Sequence, residues 1–133
     1  GDRLREWTGL SHDAFYDASR VAIMPMGFCY PGKGPSGDLP PRRECAPLWH
    51  DAILRLLPED RLTLLVGSYA QAYYLQGEVG ATMTEIVRDF RRFGPNLFPL
   101  PHPSWRVVGW MRKQPWFEAE LLPALRAAVR ARL

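Results

Sequence analysis

Leu97-Phe-Pro-Leu-Pro-His-Pro-Ser-Trp-Arg106 begins as a strand and ends as a loop. The apolar run at 96–100 is short and continuous, as in a strand buried on both faces. Prolines at 99, 101 and 103 stiffen the chain and remove backbone donors, so the strand stops there. Past the stop, His102, Ser104, Trp105 and Arg106 place an imidazole, a hydroxyl, an indole and a guanidinium within five residues. A rigid tip carrying those groups suits a ligand with phosphates and flat bases.

Working outward, Leu62-Thr-Leu-Leu-Val66 is the clearest buried strand, and Gly67-Ser68 turns it into a helix at 69–75. Val21-Ala-Ile-Met24 reads as a third strand, running into Pro25. Helices are expected at 2–10, at 44–57 and at 107–113. The second carries a stripe of Leu48, Trp49, Ala52, Ile53, Leu56 and Leu57, and Pro58 stops it. Ser11 can cap a short turn, and Thr82 with Glu85 has the spacing of a capping box ahead of Met83, Ile86, Val87 and Phe90. Pro115 can open the last helix, which Pro123 should kink or restart. Residues 31–43, rich in Gly and Pro, read as a loop.

Continuous apolar strands alternating with helices predict an α/β fold: a three-layer α/β/α sandwich on a central, mainly parallel sheet, as one domain over residues 1–133. Ligands of such sheets bind beyond the carboxyl ends of the strands. Those ends, at 25–29, 67–68 and 102–106, are expected to converge on one rim.

The formal charge is +3, and all but two of the 17 basic residues (Lys33 and Lys113) are arginine. That balance permits a polyanionic partner without requiring one. No apolar run reaches the length of a membrane span and no secretory signal is visible, so a soluble, cytoplasmic monomer is expected. The chain opens Gly1-Asp2 without an initiator methionine and enters a helical pattern at once. It is therefore expected to be the later part of a longer protein.

His102 at a strand end between two prolines is the leading chemical candidate, because an imidazole held there can donate to an oxygen that gains charge. Ser104 and Arg106 suit phosphate, and Trp105 suits stacking on a base or wedging between bases. Gly67-Ser68 resembles a phosphate-friendly turn but is no nucleotide-binding fingerprint. Cys29 and Cys45, sixteen positions apart, are either two small buried residues or half of a four-cysteine metal site.

Three segments together resemble the uracil-DNA glycosylase superfamily. Leu100-Pro-His-Pro-Ser104 resembles its HPS motif. Cys29-Tyr-Pro, then Pro40-Pro-Arg-Arg-Glu-Cys45, resembles the second cysteine pair of its iron–sulfur-type bacterial and archaeal members. Leu64-Leu-Val-Gly-Ser-Tyr-Ala70 resembles the family's next strand-to-helix turn. The resemblance covers roughly residues 21–133.

It implies a DNA-acting hydrolase of base excision repair that flips a deoxyuridine into a pocket. It makes His102 the group that stabilises the departing base, and it gives Ser68, Ser104, Trp105 and Arg106 to DNA. Pro25, Met26 and Gly27 would line the base pocket, and Cys29 and Cys45 would be two of four ligands to a [4Fe–4S] cluster. Two departures accompany it. The family's Gly-rich first motif, which positions the water, is expected to lie upstream of Gly1, as is its first cysteine pair. Pro25 also falls near the place of an asparagine that reads uracil, so another damaged base is an open substrate. A non-catalytic DNA-binding domain on the same fold is the alternative, and a domain binding a small phosphate-bearing ligand is a third.

Overall fold

The computed structural model describes residues 2–25, 33–35, 37–38, 45–78 and 80–132, and of residues 33–34, 37–38 and 45–49 it describes the backbone only. The chain divides into two compact units, one formed by Gly1–Ala22 with Leu62–Leu133 and the other by Ile23–Arg61. Among the described residues no helix is long and apolar enough to cross a membrane.

The larger unit is built on two parallel strands, β3 (Thr63–Val66) and β4 (Leu97–Leu100), paired Thr63 to Leu97 through Val66 to Leu100. Thr63 N–H donates to Asn96 C=O at 2.8 Å and Gly67 N–H donates to Leu100 C=O at 2.9 Å. A parallel ladder uses alternate residues of the partner strand, so the backbone groups of Asn96, Phe98 and Leu100 face β3. Pro99 faces the other way. That is how a proline sits inside a paired strand, since its missing N–H falls on the side β3 does not use.

The strand register puts Leu64, Val66, Phe98 and Leu100 on one face. They join a core with Val87, Phe90, Val107, Phe117, Leu121 and Leu125. On the opposite face Leu65 and Pro99 are buried as well. Burial on both faces is why these strands read as unbroken apolar runs.

The helices of this unit follow local rules. In α1 (Asp2–Thr8) the Trp7 side chain is buried, and Leu4 packs against the same core. Gly9, at φ 74°, ends the helix in the left-handed conformation, with its N–H shared between the carbonyls of Arg5 and Glu6 at 3.1 Å each. The Arg126 guanidinium donates to the same Glu6 carbonyl at 3.0 Å, tying α1 to the last helix, α7 (Leu122–Arg130). Ser11 caps α2 (His12–Phe15) through Ala14 N–H. The α4 helix (Ser68–Tyr74) follows β3 directly.

Thr82 and Glu85 close a reciprocal capping box at the start of α5 (Met83–Arg88), each backbone-to-side-chain bond at 3.2 Å. Ahead of Pro123 the chain winds one π turn, Phe117–Leu121, and Leu122 N–H donates to Phe117 C=O. The extra residue accommodates the ring, which would collide with a carbonyl one α turn back. It also leaves Phe117, Leu121, Leu122, Leu125 and Val129 all inside, with Phe117 edge-on to Trp7 at 5.1 Å and to Trp110 at 5.2 Å.

The smaller unit contains α3 (Cys45–Leu54) and a two-residue-per-strand antiparallel hairpin, β1 (Lys33–Gly34) with β2 (Gly37–Asp38). The hairpin lies inside the stretch read as loop. Two further expectations do not hold. Residues 21–25 form no strand, and Ile23 is 65% exposed. A β-branched apolar run becomes a strand only where a neighbour supplies a ladder, and none pairs with it among the described residues. The helix stripe also ends early: α3 stops at Leu54 and Leu56 is 84% exposed. Among the described side chains of α3 the buried one is His50, whose Nε2 bonds the Pro25 carbonyl at 2.8 Å.

Replacing Phe117 by Ala is expected to cost about 3–5 kcal/mol of stability in urea denaturation. Leu56→Ala, at an exposed position, should stay within about 0.5 kcal/mol of the parent.

Candidate functional site

The site grows from the last bond of the ladder. Where Gly67 N–H meets Leu100 C=O, the two strands end side by side and the chain leaves each in a different way. After β3, Gly67 adopts φ 89°, ψ 168° as the cap of α4. That combination lies in a region essentially reserved for glycine. A Cβ built on Gly67 would lie 3.7 Å from both Cβ and Cδ2 of His102, an ordinary contact, so backbone conformation rather than space requires glycine. The same distances show how near the two strand ends come: the imidazole of His102 rests beside the Gly67 turn.

After β4, Pro101 is buried and has no N–H to give. His102 follows with an exposed side chain, and its ring makes no hydrogen bond among the described residues. Among the described residues neither ring nitrogen is capped, and each can bond a ligand. Ser104 N–H turns back onto His102 C=O at 2.9 Å, and Ser104 C=O accepts from Val107 N–H at 3.1 Å. Those bonds curl the loop into α6 (Val107–Lys113). Val107 is buried in the core and anchors the far end of the turn.

Trp105, at the crest, is 78% exposed, and the Arg106 guanidinium lies 5.5 Å from its ring centroid. The pair presents a flat apolar face backed by a fixed positive charge, which can stack on a base and hold a phosphate. Ser68, exposed at the start of α4, lies next to Gly67.

His102, Ser68, Ser104, Trp105 and Arg106 therefore all belong to the two turns that leave β3 and β4. Pro25 belongs to the smaller unit, where its carbonyl is held by His50. Met26, Gly27 and Cys29 lie outside the described residues, and Cys45 opens α3 with its side chain outside them. The chain has two cysteines, half of the four thiolates that a [4Fe–4S] cluster takes, so its own donor set does not complete one. Among the described residues no three potential ligands gather into a metal site.

One residue of this region was not singled out from the sequence. Gln71 is 1% exposed, and its Nε2 donates to Leu65 C=O at 3.2 Å and to Leu100 C=O at 2.9 Å. Its Oε1 is buried without a partner among the described residues. Leaving such an acceptor dry costs about 1–3 kcal/mol. The available signal was a lone amide in a tyrosine- and alanine-rich helix, one turn after the strand-ending glycine.

The family model of the Uracil DNA glycosylase superfamily matches residues 1–126, a span that takes in both strands, both turns and most of α7. Within that span Gly67 makes the most restrictive backbone demand on the site. Gly67→Ala is expected to lower stability by about 1–3 kcal/mol, because an L residue is strained there. Urea denaturation measures the loss. Ser68→Ala, beside it on the exposed helix start, should change stability by no more than about 0.5 kcal/mol.

Proposed function

This chain belongs to the Uracil DNA glycosylase superfamily, and from that premise we propose that it releases uracil or another damaged base from DNA by hydrolysing the N-glycosidic bond, as a step of base excision repair. The observation that carries the reading is His102: an exposed imidazole, free of hydrogen bonds among the described residues, set beside the Gly67 turn at the carboxyl ends of two parallel strands.

Base release breaks the bond between C1′ of the sugar and the ring nitrogen of the base. The electron pair leaves with the base, and C1′ takes oxocarbenium character until water adds to it and gives up a proton, which balances the proton the base anion takes up. In uracil the departing charge spreads onto a ring carbonyl oxygen. A donor aimed at that oxygen lowers the barrier, and His102 fills this role through a ring N–H. The flipped nucleotide must be held out of the duplex while this happens. Trp105 presses against the bases that remain, Arg106 and Ser104 hold the backbone, and Ser68 contributes a further hydroxyl beside them. Pro25, Met26 and Gly27 keep in this reading the part in base recognition that the resemblance gives them.

Cys29 and Cys45 enter this reading as two of the four ligands of a [4Fe–4S] cluster. No step of base release passes through it. Iron and sulfide analysis of the native protein, purified without air, should find about four irons per molecule. Iron-free protein would make both cysteines packing residues.

His102→Ala is expected to slow abasic-site formation on uracil-containing DNA by about 10²–10³-fold with little change in DNA affinity. Arg106→Ala should do the converse, weakening binding at every sequence and reducing the slope of log affinity against log salt by about one. Salt-dependent binding by the parent protein with no base release would instead identify a DNA-binding domain that keeps the fold without the chemistry.

A further inference from the structure

The hydrogen bonds at the strand ends leave one problem that Gln71 answers. Pro101 and Pro103 flank His102, and neither has a backbone donor. The ladder that aligns β3 with β4 therefore stops at Leu100, two residues short of the imidazole. On the strand side, what orients His102 relative to β3 passes through the Leu100 carbonyl and the short rigid segment that follows it, while Val107 anchors the far end of the loop.

That carbonyl is held twice. Gly67 N–H donates to it at 2.9 Å, and Gln71 Nε2 donates to it at 2.9 Å. The second hydrogen of the same nitrogen goes to Leu65 C=O on the neighbouring strand at 3.2 Å. One NH₂ group thus staples the two strand ends together directly beneath the histidine. The Gln71 backbone adds a third tie, because its N–H closes the first turn of α4 onto Gly67 C=O at 3.3 Å. With carbonyls on both sides, only the amine end of the side chain can face the strands, which turns Oε1 away from them and leaves it without a partner among the described residues. Methionine matches the length but has no donor, and asparagine is one carbon too short.

We infer that Gln71 is a positioning residue for His102: its amide locks the carboxyl ends of β3 and β4 in the alignment that presents the imidazole to the substrate. This rests on the reading of His102 given above, and the test separates the two.

The primary readout is physical. Protein labelled in its histidine rings is compared with Gln71→Met by NMR relaxation of the His102 ring, alongside hydrogen exchange at the Gly67 amide. Gln71→Asn serves the same purpose should the methionine variant fail to fold. The expected result is a His102 ring with more amplitude of motion and a Gly67 amide exchanging at least about tenfold faster, while Val107 and Phe117 amides keep their protection. A His102 ring as ordered in both variants as in the parent overturns the inference.

The second readout is base release. Gln71→Met should lower kcat by up to about 10²-fold with KM unchanged, the scale of a small misplacement. It should add nothing when His102 is already alanine. A further loss in the His102→Ala background would overturn the coupling. Loosening of the ring in Gln71→Met, with a parent protein that releases no base, would uphold Gln71 and reject the glycosylase reading.

Discussion

One backbone bond, Gly67 N–H to Leu100 C=O, sets where everything else in the larger unit can be. It is the last rung of a two-strand parallel ladder, and parallel strands cannot be joined by a tight turn. The connection between β3 and β4 must therefore leave, cover the sheet and return, and α4 and α5 lie within that excursion. Once the rung is made, two turns of different chemistry emerge side by side. One is a glycine cap opening a helix, and the other is a proline-flanked histidine. Neither turn would hold a defined partner by itself. Together they form a small rim whose backbone is fixed from below and whose side chains are open above.

The rim is held from below by an aromatic and leucine-rich core. Phe98 and Leu100 point into the same cluster as Phe117, Leu121 and Leu125, and Val107 enters it from the other end of the histidine loop. The loop from 101 to 106 is thus pinned at both ends by buried apolar residues. With its ends pinned and its backbone tied by the bond from Ser104 N–H to His102 C=O, the loop leaves the side-chain groups at its tip available.

How much of this the sequence disclosed depended on whether a signal was local. Thr82 with Glu85, Ser11, Pro115 and Pro123 each act within a turn of themselves, and each behaves as its chemistry predicts. The strands at 63–66 and 97–100 were legible because burial on both faces leaves an unbroken apolar run. Val21-Ala-Ile-Met24 carries a similar run and forms no strand, because pairing depends on a neighbour that composition does not reveal. The predicted convergence of strand ends holds for 67–68 with 102. His50 and Gln71 escaped notice for one reason: each acts through a backbone carbonyl far away in sequence, and carbonyls leave no trace in the choice of residue.

Pro99 carries a consequence beyond its own strand. Its ring sits on the side of β4 turned away from β3, the side on which a further strand would pair with β4. A sheet edge with free donors is a template for foreign strands, and it invites edge-to-edge association between copies of a chain. Here the run most attractive to such growth, Leu97-Phe-Pro-Leu100, is interrupted at its centre, and Pro101 and Pro103 extend the interruption past its end. The prolines that shape the histidine loop therefore also guard the chain against fibrillar self-assembly, most usefully during synthesis, when β4 emerges before the helices that will bury it.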